Sequence, residues 1–288
     1  MRFRFPLLAW ASVASWCGLS LAQQESAVTG IRPPDATPEP IEVTVSAEPR
    51  SPTWTQSRSF TGTRFWRLDK GEQEFEAWYT ARFKHDGVPG QERHLWQLEY
   101  MVSLIKGVQL DVYFNYVKET GDDPHVEGAQ IETRIAPWDY GRIFGNPALY
   151  LEWHPQTRGP NRGEVRLLFG GQLVPNLRAA LNPFYEANLD SASGVKADYK
   201  PETEIGVSGA MGYAVLPMVS FGAEARTSAE QQGKPGFSDK HYFSVVKAGP
   251  AAWLSFAEHR LHVTAAVLGG LTRDSDAIAA TLIVGYRP

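Results

Sequence analysis

Residues 96–116 decide the fold, and they read WQLEYMVSLIKGVQLDVYFNY. Apolar residues occupy every second position on both sides of a short turn at Lys106-Gly107, and most of the positions between them hold polar residues. Successive side chains of a β-strand point to opposite faces of a sheet. The stretch therefore predicts an antiparallel hairpin with one continuous apolar face.

The same alternation recurs from Gly71 to the C-terminus and predicts about twelve strands, each about ten residues long. A tilted strand needs this length to cross the hydrocarbon of a bilayer, whereas strands of soluble proteins average nearer five or six residues. Short turns alternate with longer polar stretches, as at the two ends of a membrane barrel. Loops are predicted at residues 118–127, 155–163, 190–202, 227–240 and 272–276.

Aromatic residues near the predicted strand ends fit the girdles that flank the apolar band of a membrane barrel. Backbone polar groups in lipid need internal partners, so a sheet there must close on itself. We therefore expect an all-β fold, a closed antiparallel transmembrane β-barrel in the cell outer membrane, with its apolar face toward lipid. The aromatic residues are Tyr79, Phe83, Trp96, Phe114, Tyr116, Trp153, Tyr185, Tyr213 and Tyr286.

The first 22 residues have the pattern of a secretory signal peptide. Arg2 and Arg4 precede an apolar stretch, and Ser20-Leu21-Ala22 is a small-x-small cleavage site. An uncleaved anchor is the alternative, and the stretch is somewhat short for it. A lipoprotein is disfavoured because bulky Trp16 precedes the only cysteine, Cys17.

Residues 23–58 are rich in Pro, Ser, Thr and Glu, which predicts a flexible, disordered periplasmic extension before a barrel over residues 59–288. Within the extension, residues 41–47 (IEVTVSA) resemble the energy-coupling box of TonB-dependent receptors. Those receptors need a plug and about 22 strands, for which this chain has no room. A short β-prone stretch in a tail is the favoured interpretation.

Three stretches resemble uncharacterised Gram-negative outer-membrane β-barrel proteins of a transporter-like kind: residues 141–153, 163–171 and 282–286. The resemblance covers roughly residues 60–288 and lies in strand texture, so it implies the fold and not a reaction. Assembly signals of such proteins usually end in Phe or Trp, whereas this chain ends in Tyr286-Arg287-Pro288.

The chain offers little sign of chemistry. Its net charge is −4, or −6 without Arg2 and Arg4, too mild for nucleic-acid binding. Residues 206–210 (GVSGA) miss the last glycine of a nucleophile elbow and lie within a predicted strand. None of the seven histidines has the context found in outer-membrane phospholipase A, so a lipid-modifying enzyme is only a minor alternative. The histidines are His85, His94, His125, His154, His241, His259 and His262.

We expect neither a cofactor nor a metal. His259 and His262 should fall on opposite faces around a turn, and Asp122, Asp123 and His125 are best explained as a solvated loop rather than a cation site.

Polar residues on the inward faces of the strands are the remaining candidates for function. They could form a transverse field that selects a small solute, or plug the lumen with their own salt bridges. The leading hypothesis is a passive or facilitated channel, and the alternative is a non-conducting structural or binding barrel. Outer-membrane lipid and a solute are the expected partners, and the oligomeric state stays open. The lumen-facing candidates are Glu76, Arg82, Glu99, Asp111, Asn115, Glu152, Arg166, Gln172, Glu204, Glu224 and Arg226.

Overall fold

The computed structural model describes residues 51–56, 58–62, 65–84, 88–157, 160–189, 202–232, 241–256 and 259–288. The predicted signal peptide and residues 23–50 of the predicted extension lie outside the described residues, as do most of the predicted loop at 190–202 and residues 233–240 of the predicted loop at 227–240. The prediction was wrong for residues 227–232, which continue a strand. Within the described ranges, no helix is long and apolar enough to cross a bilayer.

In the described ranges, twelve antiparallel strands follow a single short helix, α1, at Thr53–Gln56. The strand count and the all-β class predicted from the alternation are confirmed. The strands are β1 Gln73–Phe83, β2 Glu92–Ile105, β3 Val108–Glu119, β4 His125–Ile135, β5 Ala148–His154, β6 Arg162–Val174, β7 Leu177–Asn188, β8 Glu202–Leu216, β9 Val219–Gln232, β10 His241–Phe256, β11 Leu261–Gly270 and β12 Ile278–Tyr286.

The sheet is a closed meander, in which each strand pairs with its neighbours in sequence and β12 pairs back onto β1. The closing register runs from Phe75 opposite Tyr286 to Phe83 opposite Ile278. A closed sheet has no edge, so every strand finds hydrogen-bond partners on both sides, as a bilayer requires.

The outer surface of the barrel is apolar. All nine aromatic residues predicted to form girdles are exposed, together with large aliphatic side chains such as Leu98 and Leu110. Tyr79, Trp96 and Tyr116 form a continuous aromatic row on β1, β2 and β3, with ring centroids 5.5 and 6.0 Å apart. Such an exterior is suited to lipid and not to water.

The two ends of the barrel differ. Two-residue turns at 106–107, 175–176 and 217–218 lie at the same end as the start of β1 and the end of β12, and this end also carries one long connection, residues 136–147. Every connection at the other end spans at least five residues. Outer-membrane barrels have their short turns in the periplasm. We therefore assign the end with both strand termini to the periplasm and call the opposite end the outer end.

The hydrophobic core lies inside the barrel and is built around the described residues between 51 and 70, which we call the lumen segment. Its aromatic residues Trp54, Phe60, Phe65 and Trp66 are buried in one cluster. Residues 51–56 and Arg58, at the end of the predicted flexible extension, therefore pack within the barrel. Small residues make room for them: Ala148, Ala180 and Ala210 on the inner wall and Ala136, directly after β4, belong to the same cluster.

Candidate functional site: the lumen and its N-terminal segment

Arg58 anchors the lumen segment to the first two strands. Its guanidinium makes ion pairs with Glu76 at 2.8 Å and Glu99 at 3.1 Å, and it lies over the ring of Trp78 at 4.0 Å. From β11, which is separated from β1 by β12 alone, the Thr264 hydroxyl donates a hydrogen bond to the Arg58 carbonyl. Glu76, Glu99 and Thr264 are all buried on the inner face of the wall, so Arg58 lies inside the lumen.

Glu224 on β9 provides a second anchor. Its carboxylate accepts hydrogen bonds from the backbone N–H of Thr61 at 2.6 Å, from the Thr61 hydroxyl at 3.1 Å and from the backbone N–H of Gly62 at 2.8 Å. Glu224 is 3% exposed. Charge-assisted bonds to backbone N–H groups fix the path of the chain as well as its side chains.

A third anchor lies on β3 and β4. Gln109 accepts a hydrogen bond from the Leu68 N–H at 2.6 Å and donates one to Asp111 at 2.7 Å. Arg134 pairs with Asp111 at 2.8 Å and donates a hydrogen bond to the Trp66 carbonyl at 3.0 Å. The lumen segment is therefore held along its length by wall side chains.

Glycines in the wall accommodate the aromatic rings of the segment. A Cβ atom on Gly170 would lie 2.2 Å from the Phe65 ring, and one on Gly212 would lie 3.1 Å from the Phe60 ring. Any side chain at Gly170 would displace Phe65, so the wall and the segment are complementary in shape.

The connection between β4 and β5, residues 136–147, packs under the lumen segment. The Tyr140 ring makes edge contacts with Trp54, Phe65 and Trp66, at centroid distances of 6.2, 6.2 and 5.5 Å. Burial raises the pKa of the Tyr140 phenol above its ordinary value. The segment and this loop together fill the periplasmic half of the lumen.

Above the lumen segment lies a cavity of about 620 Å³ that extends to residues at the outer strand ends, such as Gln91, Asn188 and Asp274. Arg58, Thr61 and Gly62 are among the residues that line it. Among the described residues, the lining carries seven basic and nine acidic side chains, so the cavity is hydrophilic and slightly acidic.

A row of glutamates crosses the wall. Six of them occupy directly opposed register positions on six neighbouring strands, β4 to β9, and like charges opposite one another are destabilising. Arginines offset part of this cost: Arg166 pairs with Glu164, Arg162 with Glu186 at 3.3 Å, and Arg226 with Glu204 at 2.7 Å. Arg134 pairs with the first member of the row. The row is Glu132, Glu152, Glu164, Glu186, Glu204 and Glu230.

The structure divides the lumen-facing candidates of the sequence analysis into three groups. The first group lines the cavity, and the second is buried in the networks around the lumen segment. The third group is Gln172 alone, which is exposed at the periplasmic end, opposite Arg178. Six line the cavity: Arg82, Asn115, Glu152, Arg166, Glu204 and Arg226. Four are buried with the segment or beside it: Glu76, Glu99, Asp111 and Glu224.

Sequence reasoning missed the residues that complete the site. Arg58, Thr61 and Gly62 fall at the boundary of the predicted extension, where no strand pattern marks them. One sequence feature could have indicated that this segment is buried. Trp54, Phe60, Phe65 and Trp66 are aromatic residues, and disordered segments contain few of these.

Groups that could support catalysis are sparse in the described part of the chain. Residues 206–210 lie within β8 and not at a strand-to-helix turn. Ser255 and His259 are 2.6 Å apart at the periplasmic end, but no described carboxylate contacts the imidazole as a triad requires. Asp122, Asp123 and His125 lie at the outer loop between β3 and β4, where His125 contacts the Asp123 carbonyl. His85 lies outside the described residues.

No protein-family model matches the sequence, and no curated protein is detectably similar to it. Solved structures do match its fold. An outer-membrane channel from Pseudomonas putida F1 has a TM-score of 0.59 and 11% identity, over 80% of this chain and 100% of that one. The β domain of the Bordetella autotransporter BrkA has a TM-score of 0.44 and 15% identity, over 76% and 99% of the two chains. The outer-membrane protein Omp33 from Acinetobacter baumannii has a TM-score of 0.39 and 14% identity, over 75% and 99%.

At these identities the likeness concerns the fold. The closed twelve-strand meander, its apolar exterior and the similarity to the Pseudomonas barrel identify the chain as an outer-membrane β-barrel protein. The predicted location and the resemblance to Gram-negative outer-membrane barrels are both confirmed.

Proposed function

We propose that this outer-membrane barrel is a channel for small hydrophilic solutes, and that the lumen segment closes it in the state described here. One observation carries the proposal: a polar cavity of about 620 Å³ reaches from the outer strand ends down to Arg58, Thr61 and Gly62. A barrel that served only as a scaffold would not need a polar vestibule of this size. The segment interrupts the path below it.

The lining of the cavity indicates the class of solute. Charged side chains of both signs dominate it, which disfavours apolar ligands. The glutamate row includes more carboxylates than the arginines that pair with it, so a modest preference for cations is expected. The fold similarity to a protein described as an outer-membrane channel agrees with this proposal and does not specify the solute.

A non-conducting structural or binding barrel is the second candidate. The filled periplasmic half of the lumen favours it, because a permanently closed barrel could still bind a ligand in its outer cavity. An enzyme is not proposed.

Permeation into liposomes separates the two candidates. We expect the Arg58→Ala variant, which loses the ion pairs to Glu76 and Glu99, to admit a small neutral sugar faster than the wild type. Arg142→Ala is the control, because Arg142 is exposed on the periplasmic loop. If neither the wild type nor the Arg58 variant admits sugar, while both show the heat-dependent gel shift of a folded barrel, the non-conducting alternative replaces the channel.

A further inference from the structure

We infer that Glu74, Glu76 and His262 form a zinc site inside the barrel wall. Pairing of β11 with β12 and of β12 with β1 places His262, Gly285 and Glu76 side by side in one register row. Glu74 lies two residues before Glu76, on the same inward face of β1. His262 is almost 190 residues from the two glutamates in sequence, and each of the three side chains is at most 1% exposed.

The donor atoms converge on one point. His262 Nε2 lies 3.3 Å from Glu76 Oε1 and 3.5 Å from Glu74 Oε1. Zinc bonds of about 2.0–2.1 Å in tetrahedral geometry separate neighbouring ligand atoms by roughly 3.3 Å. Both separations from the imidazole are therefore close to those that a tetrahedral zinc ion would need, and the three donor atoms all lie within 4.8 Å of one another. A water molecule could supply the fourth ligand.

Two of these donor atoms have no hydrogen bond within the described structure, although both are buried: Glu74 Oε1 and His262 Nε2. A buried polar atom without a hydrogen bond is costly and uncommon. A metal ion would satisfy both at once. One imidazole with two carboxylates suits zinc better than calcium or magnesium, which prefer oxygen ligands alone.

The surrounding side chains hold the ligands in this orientation. Arg287 donates to Glu74 Oε2 at 3.0 Å, while Arg58 and the Trp78 indole donate to Glu76 Oε2 at 2.8 and 2.9 Å. These hydrogen bonds to the Oε2 atoms orient both carboxylates, as the outer partners of metal ligands commonly do. The Oε1 atoms of Glu74 and Glu76 lie 3.5 and 3.3 Å from His262 Nε2.

Gly285 permits the position of the imidazole. A Cβ atom at this residue would lie 2.0 Å from His262 Cε1, so the ring lies directly over a position that only glycine can occupy. Since Glu76 also binds Arg58, a zinc ion here would connect β1 and β11 to the lumen segment. The inference does not depend on the channel proposal.

The competing explanation is a protonated His262 that makes ion pairs with the two glutamates. Measuring the metal content of the protein distinguishes this explanation from a zinc site. The full-length protein, expressed without a histidine tag, is refolded with zinc sulfate, passed through gel filtration and measured for zinc by mass spectrometry. We expect about one zinc per chain in the wild type and at least a tenfold loss in His262→Ala. His259→Ala is the matched control, because His259 pairs with Ser255 outside the trio, and it should retain the metal.

Cobalt substitution covers the case in which His262→Ala does not fold. Cobalt bound to the wild type at a tetrahedral site should give intense visible absorption, and added zinc should abolish it. Gly285→Ala keeps all three ligands but displaces the ring, so it should weaken that absorption at least tenfold. A wild type without stoichiometric zinc and without the cobalt spectrum, or a His262→Ala protein with wild-type zinc content, would overturn the site and support the protonated pair.

Discussion

Arg58 and Glu99 lie 41 residues apart in sequence, and their side chains form an ion pair of 3.1 Å in the interior of the barrel. The side chains are 5% and 0% exposed. Arg58 precedes the first strand and Glu99 belongs to the second, so this contact fixes the N-terminal segment to the wall. Removing one member of a buried ion pair leaves the other charge uncompensated.

Replacing Arg58 with Ala should therefore destabilise the barrel by about 3 kcal/mol or more, within the range known for broken buried pairs. The control Arg142→Ala, an exposed residue, should change stability by less than about 0.5 kcal/mol. Unfolding in guanidinium chloride, followed by tryptophan fluorescence of protein in vesicles, measures both. Equal stabilities for the two variants would show that the segment is not anchored through Arg58.

Replacing Leu110 or Leu167 with Arg should impair assembly. Both side chains are exposed on the apolar outer face, and an arginine facing the middle of the bilayer costs about 2–4 kcal/mol. Gln172→Arg should be tolerated, because Gln172 is exposed at the periplasmic end of the inner face. The fraction of protein that resists unfolding on an unheated gel is the readout, and equal yields for all three would argue against a lipid-facing exterior.

Gln109 shows why the face of a residue is not enough to predict tolerance. From alternation alone, an arginine at this inward polar position should be as harmless as one at Gln172. In the structure Gln109 is 0% exposed and binds Leu68 and Asp111, so the larger, charged side chain would displace the lumen segment.

Sequence alternation predicted the strands and their two faces because lipid imposes a period of two on every strand. It could not predict what fills the lumen. The lumen segment has no strand pattern in its sequence. Its partners Glu99, Glu224 and Gln109 lie on three different strands, and only the closed sheet brings them together around the segment. In the sequence, Gly170 and Gly212 are simply small residues within predicted strands. The structure shows that a side chain at either position would collide with or crowd the ring of Phe65 or Phe60.

Ion selectivity should depend on the glutamate row and not on Glu99 and Asp111. Sequence alternation placed Glu99 and Asp111 on the inward face, and in the structure both are buried in networks with Arg58 and Arg134. Glu186 lines the cavity, and Glu186→Gln should shift the reversal potential in a salt gradient toward anions, most clearly at low ionic strength. An unchanged reversal potential would remove the row from the permeation path.

Export should proceed by cleavage after Ala22, as the signal pattern predicts. Sequencing the N-terminus of protein extracted from outer membranes should give Gln23 as the first residue. A mature chain that begins at Met1 would instead support an uncleaved anchor.

The most direct test of the closed channel compares two matched substitutions by single-channel recording in planar bilayers. Glu224→Gln weakens the hydrogen bonds to Thr61 and Gly62, whereas Glu186→Gln removes the same charge from a residue that pairs with Arg162. We expect the wild type to be closed for most of the recording, Glu224→Gln to open at least about tenfold more often, and Glu186→Gln to keep the wild-type open probability. A tenfold change corresponds to about 1.4 kcal/mol, close to the lower end of the ~1.5–3 kcal/mol that a hydrogen bond to a charged group contributes. Equal open probabilities for the two variants, or a wild type that is continuously open, would contradict closure by the lumen segment.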